Sequence, residues 1–269
     1  MTRIIHLTDL HFGLERKDFI SPLQQAISEA SPNLIVVTGD LTHRGRKDQY
    51  SSALSFLEKL KLPILILPGN HDVPLFNLPL RLLAPFRNWR RYAQPQLSPT
   101  HSGNGVSILT ANTANPLRIR RGILRNADRD RITAGLSRAD RRFHTKILAC
   151  HHPLREPKGF ERGETKGAEE ALEHFAAIGL DIILSGHLHT WNIGLGITET
   201  QGQPFVMVQT GTALCAREDE VDHGFSLIKL APGRTEVTPF IIDKSSTRFE
   251  QRPSKIFIKQ GQLWHLGWS

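Results

Sequence analysis

Short apolar runs alternate with amphipathic patterns in the first part of the chain. Residues 4–7, 34–37 and 64–67 are aliphatic and often β-branched, which is typical of parallel strands buried on both faces. Between these runs, apolar residues recur at helical spacing, first around Leu23 and then around Leu57. The alternation of strand and helix predicts right-handed βαβ units and therefore an α/β fold.

The second half of the chain repeats the strand signal with fewer helices between the strands. Residues 147–150 and 182–184 are apolar runs separated by a helical pattern at 168–175. Further strand candidates lie near residues 106–111, 191–197, 205–209, 224–230 and 237–242. Strands that succeed strands predict a second, more antiparallel sheet.

The composition is that of a soluble domain. Apolar residues make up 39% of the 269, and no run approaches the roughly 18 consecutive apolar residues of a membrane helix. The N-terminal residues lack the apolar stretch of a signal peptide, so we expect a cytoplasmic protein without a transmembrane segment. Cys150 and Cys215 are too few for a disulfide framework, and we interpret them as small buried residues.

The positive charge of the chain is concentrated in one region. Lysine plus arginine (34) less aspartate plus glutamate (26) gives a net charge of +8. Residues 81–142 hold 13 arginines, no lysine and 3 acids, or +10, so the remainder sums to −2. We therefore interpret residues 1–243 as one domain with basic insertions at about 73–99 and 117–142, and residues 244–269 as a C-terminal extension that packs on it.

Ligand-type side chains follow the predicted strands at the point where each strand ends. The residues are Asp9 and His11 after the first run, Asp40 after the second, Asn70 and His71 after the third, His151 after the fourth, and His187 and His189 after the fifth. The carboxyl ends of parallel strands form the ligand crevice of an open α/β sheet, so these residues should converge.

The residue types indicate a metal centre. Histidine nitrogens with carboxylate and amide oxygens suit zinc, manganese or iron and not calcium. The set of Asp9, His11, Asp40, Asn70, His151, His187 and His189 exceeds what one ion needs, which predicts two divalent or trivalent metal ions that share one carboxylate. Asp40 is the natural bridge, because it is the lone carboxylate at its strand end.

Five short blocks resemble, in chain order, the signature motifs of the calcineurin-like metallophosphoesterase family, most closely its bacterial members similar to class III cyclic nucleotide phosphodiesterases. The blocks are Asp9-Leu10-His11, Gly39-Asp40, Gly69-Asn70-His71-Asp72, His151-His152-Pro153 and Gly186-His187-Leu188-His189. The resemblance implies a four-layer αββα sandwich of two mixed sheets with flanking helices.

The same resemblance implies how the site works. One metal ion would be held by Asp9, His11, Asp40 and His189, and the other by Asp40, Asn70, His151 and His187. A metal-bound hydroxide would attack phosphorus in line, and His71 would contact the phosphate or protonate the leaving group. The expected catalytic residues are therefore His71 and Asp40.

Several other side chains are candidates for substrate contact. His43 and His152 could face the cleft or lie outside it. Asp72 is either a substrate contact or, as we favour, a hydrogen-bond acceptor for its own loop. Arg87, Arg90 and Arg91 suit a phosphate because guanidinium binds it bidentately, although a solvated surface is the ordinary meaning of a charge run.

The sequence therefore predicts hydrolysis of a small anionic phosphodiester, with a cyclic nucleotide as the first candidate. The alternatives are a phospholipid or its headgroup, a nucleic acid and a phosphomonoester. A metal-binding scaffold without turnover is the rival from another class, and His71 beside a full ligand set argues against it.

Overall fold

The computed structural model describes residues 1–139, 145–155, 165–198, 203–218, 222–243 and 246–267. The helices in these ranges are α1 (Lys17–Ala30), α2 (Lys47–Lys59), α3 (Leu78–Leu83), α4 (Arg87–Tyr92), α5 (Asn126–Ala139) and α6 (Ala168–Ala177). The strands are β1 (Thr2–Leu7), β2 (Leu34–Thr38), β3 (Ile64–Leu67), β4 (His101–Gly103), β5 (Val106–Ala111), β6 (Thr145–Cys150), β7 (Ile182–Ser185), β8 (Asn192–Ile197), β9 (Pro204–Gln209), β10 (His223–Ala231), β11 (Arg234–Ile242), β12 (Glu250–Gln251), β13 (Lys255–Gln260) and β14 (Leu263–Leu266).

The first sheet grows from the N-terminal βαβ units. Its strand order is β14-β13-β11-β10-β1-β2-β3, with β12 beside β11. β1, β2 and β3 run parallel, and the aliphatic residues that predicted them are buried on both faces. β10 pairs antiparallel with the free edge of β1, placing Ile228 opposite Ile4.

The second sheet has the order β4-β5-β6-β7-β9-β8. Its central strands β5, β6, β7 and β9 are parallel, and the antiparallel strands β4 and β8 lie at its edges. The expectation that the late strands form a second, more antiparallel sheet is wrong, because these strands divide between the two sheets. The hairpin β10–β11 extends the first sheet instead, because β1 leaves one edge open to pairing.

Three apolar layers hold the sheets and helices together. Ile4 and Val36 meet Ile147 and Ile182 between the two sheets. α1 and α2 cover the outer face of the first sheet, while α5 and α6 cover the outer face of the second. Both sheets are mixed, so the fold is the predicted four-layer αββα sandwich.

The segments that looked irregular in sequence are also part of the fold. α4 packs against α2 through Trp89, which is buried with its ring 6.2 Å from that of Tyr50. The stretch interpreted as a C-terminal extension supplies β13 and β14 to the first sheet. Within it, Trp264 is buried and donates from Nε1 to Asp181 Oδ1 (3.0 Å), next to the second sheet. None of the helices in the described ranges has the length and apolar character of a membrane span.

Candidate metal centre

The candidate ligands follow strand ends and come together at one edge of the sandwich. Asp9, His11, Asp40, His187 and His189 all have positive φ, between 49° and 71°. Left-handed backbone is uncommon for residues other than glycine, and it persists only where the surrounding structure enforces it. Strain at five candidate ligands indicates that the fold holds these side chains in place for a function.

The first group of side chains surrounds Asp9. His189 Nε2 lies 3.0 Å from Asp9 Oδ1, and His11 Nε2 lies 3.6 Å from the same oxygen. The two Nε2 atoms are themselves 3.2 Å apart. Three polar atoms thus point at one volume, as the ligands of a single cation do.

The second group surrounds His151. Its Nε2 lies 2.9 Å from Asn70 Oδ1 and 3.4 Å from Asp40 Oδ2. Asp40 Oδ2 is also 3.6 Å from His11 Nε2, so this one oxygen lies between the two groups. The ring of His187 completes the second group at 5.1 Å from the His151 ring.

The side chains present fit a metal ion. His151 Nδ1 donates to Thr38 O (2.7 Å), so a neutral ring would turn its Nε2 lone pair toward two acceptor oxygens. That arrangement is repulsive unless a cation, either a proton or a metal ion, lies among them. Burial lowers the pKa of His151, but Asp40 outweighs burial and raises that pKa to about 9. His187 Nε2 is buried and has no hydrogen-bond partner in the described residues. Such a nitrogen is costly unless something binds it.

The electrostatics agree with a cation site. Burial alone would raise the pKa of Asp9, but His189, His11 and His151 hold it well below its ordinary value. Burial likewise opposes ionisation of Asp40, and His151 and His71 outweigh it, so its pKa is lowered. Burial lowers the pKa of His11 to about 4 and that of His187 to about 3, which keeps both rings in the neutral, metal-binding form.

Each central carboxylate uses one oxygen for the protein and turns the other toward the centre. Asp9 Oδ2 accepts from Thr8 Oγ1 (2.6 Å) and from the backbone N–H of His187 (3.0 Å). Asp40 Oδ1 accepts from the backbone N–H of His71 (2.8 Å). Asp9 Oδ1 and Asp40 Oδ2 are the oxygens that face the histidines. The carboxylates are thus oriented before any ion binds.

Asp72 joins the loops that follow β2 and β3. Its carboxylate is fully buried and accepts from Leu41 N (3.2 Å), Thr42 N (3.0 Å), Thr42 Oγ1 (3.0 Å) and Gly69 N (2.9 Å). Both oxygens are occupied by these donors. These hydrogen bonds support the interpretation of Asp72 as an acceptor for its own loop, and a substrate contact by Asp72 stays a prediction.

His71 lies beside the centre with its ring held by the neighbouring loop. Its Nδ1 donates to His43 O (2.8 Å), and the His43 ring stacks on it at 5.5 Å. The other nitrogen, Nε2, is 3.3 Å from Arg217 Nη2. Sequence reasoning missed Arg217, although it follows β9, whose carboxyl end opens at the same edge as those of β6 and β7.

The remaining substrate candidates separate into two places. His152 is buried beside the centre, with its ring 4.4 Å from that of His187 and its Nδ1 2.9 Å from Thr113 Oγ1. Arg87, Arg90 and Arg91 are exposed on α4, and α4 packs on α2. Arg90 lines a groove of about 1320 Å³ that also includes Arg125, Arg131 and Arg138 but none of the candidate ligands. No contact within the described residues joins Arg87, Arg90 or Arg91 to a candidate ligand.

A two-sheet α/β sandwich with carboxylates and histidines gathered at its strand ends has the fold and the candidate ligands of a two-metal hydrolase. A model of the calcineurin-like phosphoesterase family matches residues 2–191, and the chain belongs to this family. The resemblance drawn from the five sequence blocks is confirmed.

Several known proteins are similar to this chain. A probable cyclic nucleotide phosphodiesterase from Synechococcus is 27% identical over 85% of this chain and 88% of its own length. A glycerophosphodiester phosphodiesterase from Enterobacter lignolyticus is 30% identical over only 26% of this chain and 29% of its own length. Among solved structures, a dimetal phosphatase from Danio rerio has a TM-score of 0.61 at 14% identity, covering 88% of this chain and 95% of that one. A purple acid phosphatase from yellow lupin has a TM-score of 0.66 at 15% identity, and the match spans 95% of this chain and 53% of the lupin protein.

Proposed function

We propose that this protein is a phosphodiesterase that works with two metal ions bridged by Asp40. The observation that carries the proposal is the position of Asp40 Oδ2, 3.6 Å from His11 Nε2 and 3.4 Å from His151 Nε2. One carboxylate oxygen between two ligand groups is the arrangement expected of a bridging ligand in a two-metal hydrolase. Asp9 and His189 complete the first group, and Asn70 and His187 the second.

A cyclic nucleotide is the first substrate candidate. The Synechococcus relative carries that name, and its similarity extends over most of both chains. A glycerophosphodiester is the second, supported by a match to a shorter part of the chain. Both are phosphodiesters, so the chemistry at phosphorus is the same for the two.

The metal ligands and His71 have different roles in the proposed reaction. When bound, the metal ions would polarise the phosphoryl oxygens and lower the pKa of a bound water. Asp9 and Asp40 fix the ligand geometry, because one oxygen of each is already tied to the protein. His71 is oriented by His43 O so that its Nε2 is the ring nitrogen available to the departing oxygen.

The test begins with metal-stripped protein. Samples are reconstituted with manganese, iron or zinc, and metals per chain are measured by elemental analysis. Each sample is then given bis-p-nitrophenyl phosphate, p-nitrophenyl phosphate, cyclic AMP, glycerophosphocholine and single-stranded DNA, with stripped protein as the control. We expect two metals per chain and faster turnover of diesters than of the monoester. Protein that binds two metals but turns over none of the substrates would instead be a metal-binding scaffold.

A further inference from the structure

Arg217 presents a cation to the proposed catalytic site. Its Nη2 lies 3.3 Å from His71 Nε2. A carbonyl oxygen only accepts, so His71 Nδ1 carries a proton in its bond to His43 O, and the neutral ring offers its Nε2 lone pair to the guanidinium. Arginine carries five N–H donors. This contact therefore leaves most of the donors of Arg217 available.

The loop that carries Arg217 is fastened to the loop that carries Asp9. Thr212 Oγ1 donates to Asp9 O (2.7 Å), and Ala213 N donates to Thr8 O (3.1 Å). Immediately before Arg217, Ala216 N donates to Leu14 O (2.8 Å). These bonds position Arg217 relative to the candidate ligands, as a built binding site requires.

Arg217 carries a positive charge beside His71. In the part of the chain that the structure describes, no carboxylate forms an ion pair with it. Its positive neighbours add to the field. The pKa of His43 is lowered to about 4, mainly by burial, and the positive charges of Arg44 and Arg217 contribute in the same direction. A half-buried guanidinium beside the candidate metal centre, with no ion pair to a carboxylate among the described residues, is suited to bind an anion.

We propose that Arg217 binds a non-bridging oxygen of the substrate phosphate, exchanging its contact with His71 Nε2 for a charge-assisted bond to the phosphodiester. This inference rests on the proposed function and adds a substrate-binding residue to it. Once the guanidinium has moved to the phosphate, His71 Nε2 would be free to take up a proton from solvent and donate it to the departing oxygen. Arg217 lies beyond residues 2–191, which are the part matched by the family model, so it belongs to the region where this chain can differ from other family members.

The experiment compares Arg217→Ala and Arg217→Lys with wild type and with Arg248→Ala, an exposed arginine that gives the same loss of charge. We expect Arg217→Ala to raise KM for bis-p-nitrophenyl phosphate by about 10- to 100-fold, the size of a lost charged hydrogen bond. Arg217→Lys should raise KM less than Arg217→Ala does, because lysine keeps the positive charge but lacks the paired N–H donors of the guanidinium group. Arg248→Ala should match wild type. Metals per chain and thermal midpoint should be the same in all four proteins.

Binding of inorganic phosphate to the metal-loaded proteins by calorimetry provides a readout that does not need turnover. Arg217→Ala should bind phosphate at least several-fold more weakly than Arg248→Ala. If KM and phosphate affinity in Arg217→Ala stay within twofold of wild type, the inference is wrong. If wild type binds phosphate through Arg217 but hydrolyses no diester, the proposed function fails and the inference stands. If wild type neither binds phosphate nor turns over, both fail.

Discussion

At the scale of single residues, the centre is organised by carboxylates whose two oxygens have different tasks. Asp9 and Asp40 each give one oxygen to backbone or hydroxyl donors and keep the other for the histidines. A residue held this way cannot turn its second oxygen elsewhere, so its geometry is fixed before an ion arrives. Substitutions that keep the shape but remove the charge should therefore act on metal binding and not on the fold.

Asp40→Asn tests this directly. The amide keeps the volume but halves the acceptor capacity and removes the charge that would be shared by both ions. We expect fewer than two metals per chain and a fall in kcat on the order of 10²-fold or more. This loss exceeds the one expected for a residue that only hydrogen-bonds to a metal ligand. Elemental analysis and diester turnover measure the two quantities, with the exposed Asp130→Asn as the matched control. Two metals at normal rate would show that Asp40 is not the bridge.

Asp72→Asn should damage stability instead. Asn must place an NH₂ group among the four donors that now point at the carboxylate, leaving at least one buried donor without an acceptor. The cost of such an unsatisfied group is about 1–3 kcal/mol. Urea unfolding of metal-stripped protein should show that loss in the variant and none in Asp130→Asn. If Asp72→Asn has the unfolding free energy of wild type but a higher KM, Asp72 contacts the substrate instead.

At the scale of elements, the strand ends explain which site residues can be predicted from the sequence and which cannot. His151 and His187 could be assigned from sequence because each follows an apolar run with the character of a buried strand. Arg217 could not, because β9 looks like one more strand in a series, and its parallel pairing with β7 appears only in the fold. The open edge of β1, which attracts β10, is likewise decided by pairing between distant segments.

His6 on β1 gives an element-scale test by pH. It is fully buried, with Nε2 2.8 Å from Thr38 Oγ1 and Nδ1 2.8 Å from Thr210 Oγ1, so it ties β1 to the ends of β2 and β9. Burial lowers its pKa from 6.5 to about 3, although Asp9 opposes the shift. The unfolded chain therefore takes up the proton first as the pH falls. Stability that His6 contributes above pH 6.5 is lost as the pH drops toward its folded pKa.

The expected result is a shallower pH dependence of stability in His6→Gln than in wild type between neutral and mildly acidic pH. Glutamine does not titrate, so it removes the proton linkage while keeping a polar side chain. Both proteins should be metal-stripped, because ion binding would add its own pH dependence. Urea midpoints at several pH values measure the slopes. Parallel curves would assign the acid sensitivity to other buried groups, such as His11 and His187.

At the scale of the whole molecule, the uneven charge concerns a surface separate from the metal centre. The region with +10 includes α4 and α5, and the groove between them is lined by Arg90, Arg125, Arg131 and Arg138. Arg125 and Arg131 are partly engaged, the first by Asn112 O and Ala114 O and the second by Asp128. Arg90 and Arg138 are exposed at the groove. A small diester at the proposed metal centre would not need this surface, whereas a long polyanion could use it.

The last prediction separates these two cases. Replacing Arg87, Arg90 and Arg91 by alanine should leave KM for bis-p-nitrophenyl phosphate within twofold of wild type, because the three side chains are exposed on a helix that packs on α2. Binding of single-stranded DNA should fall with added salt in wild type, with a slope of about −0.7 per phosphate contacted, and less steeply in the variant. The control removes the same charge at the exposed Arg234 and Arg248 and at the half-buried Arg252. A raised KM in the first variant alone would return these arginines to the substrate site, and a flat salt dependence in wild type would exclude the groove as a nucleic-acid surface.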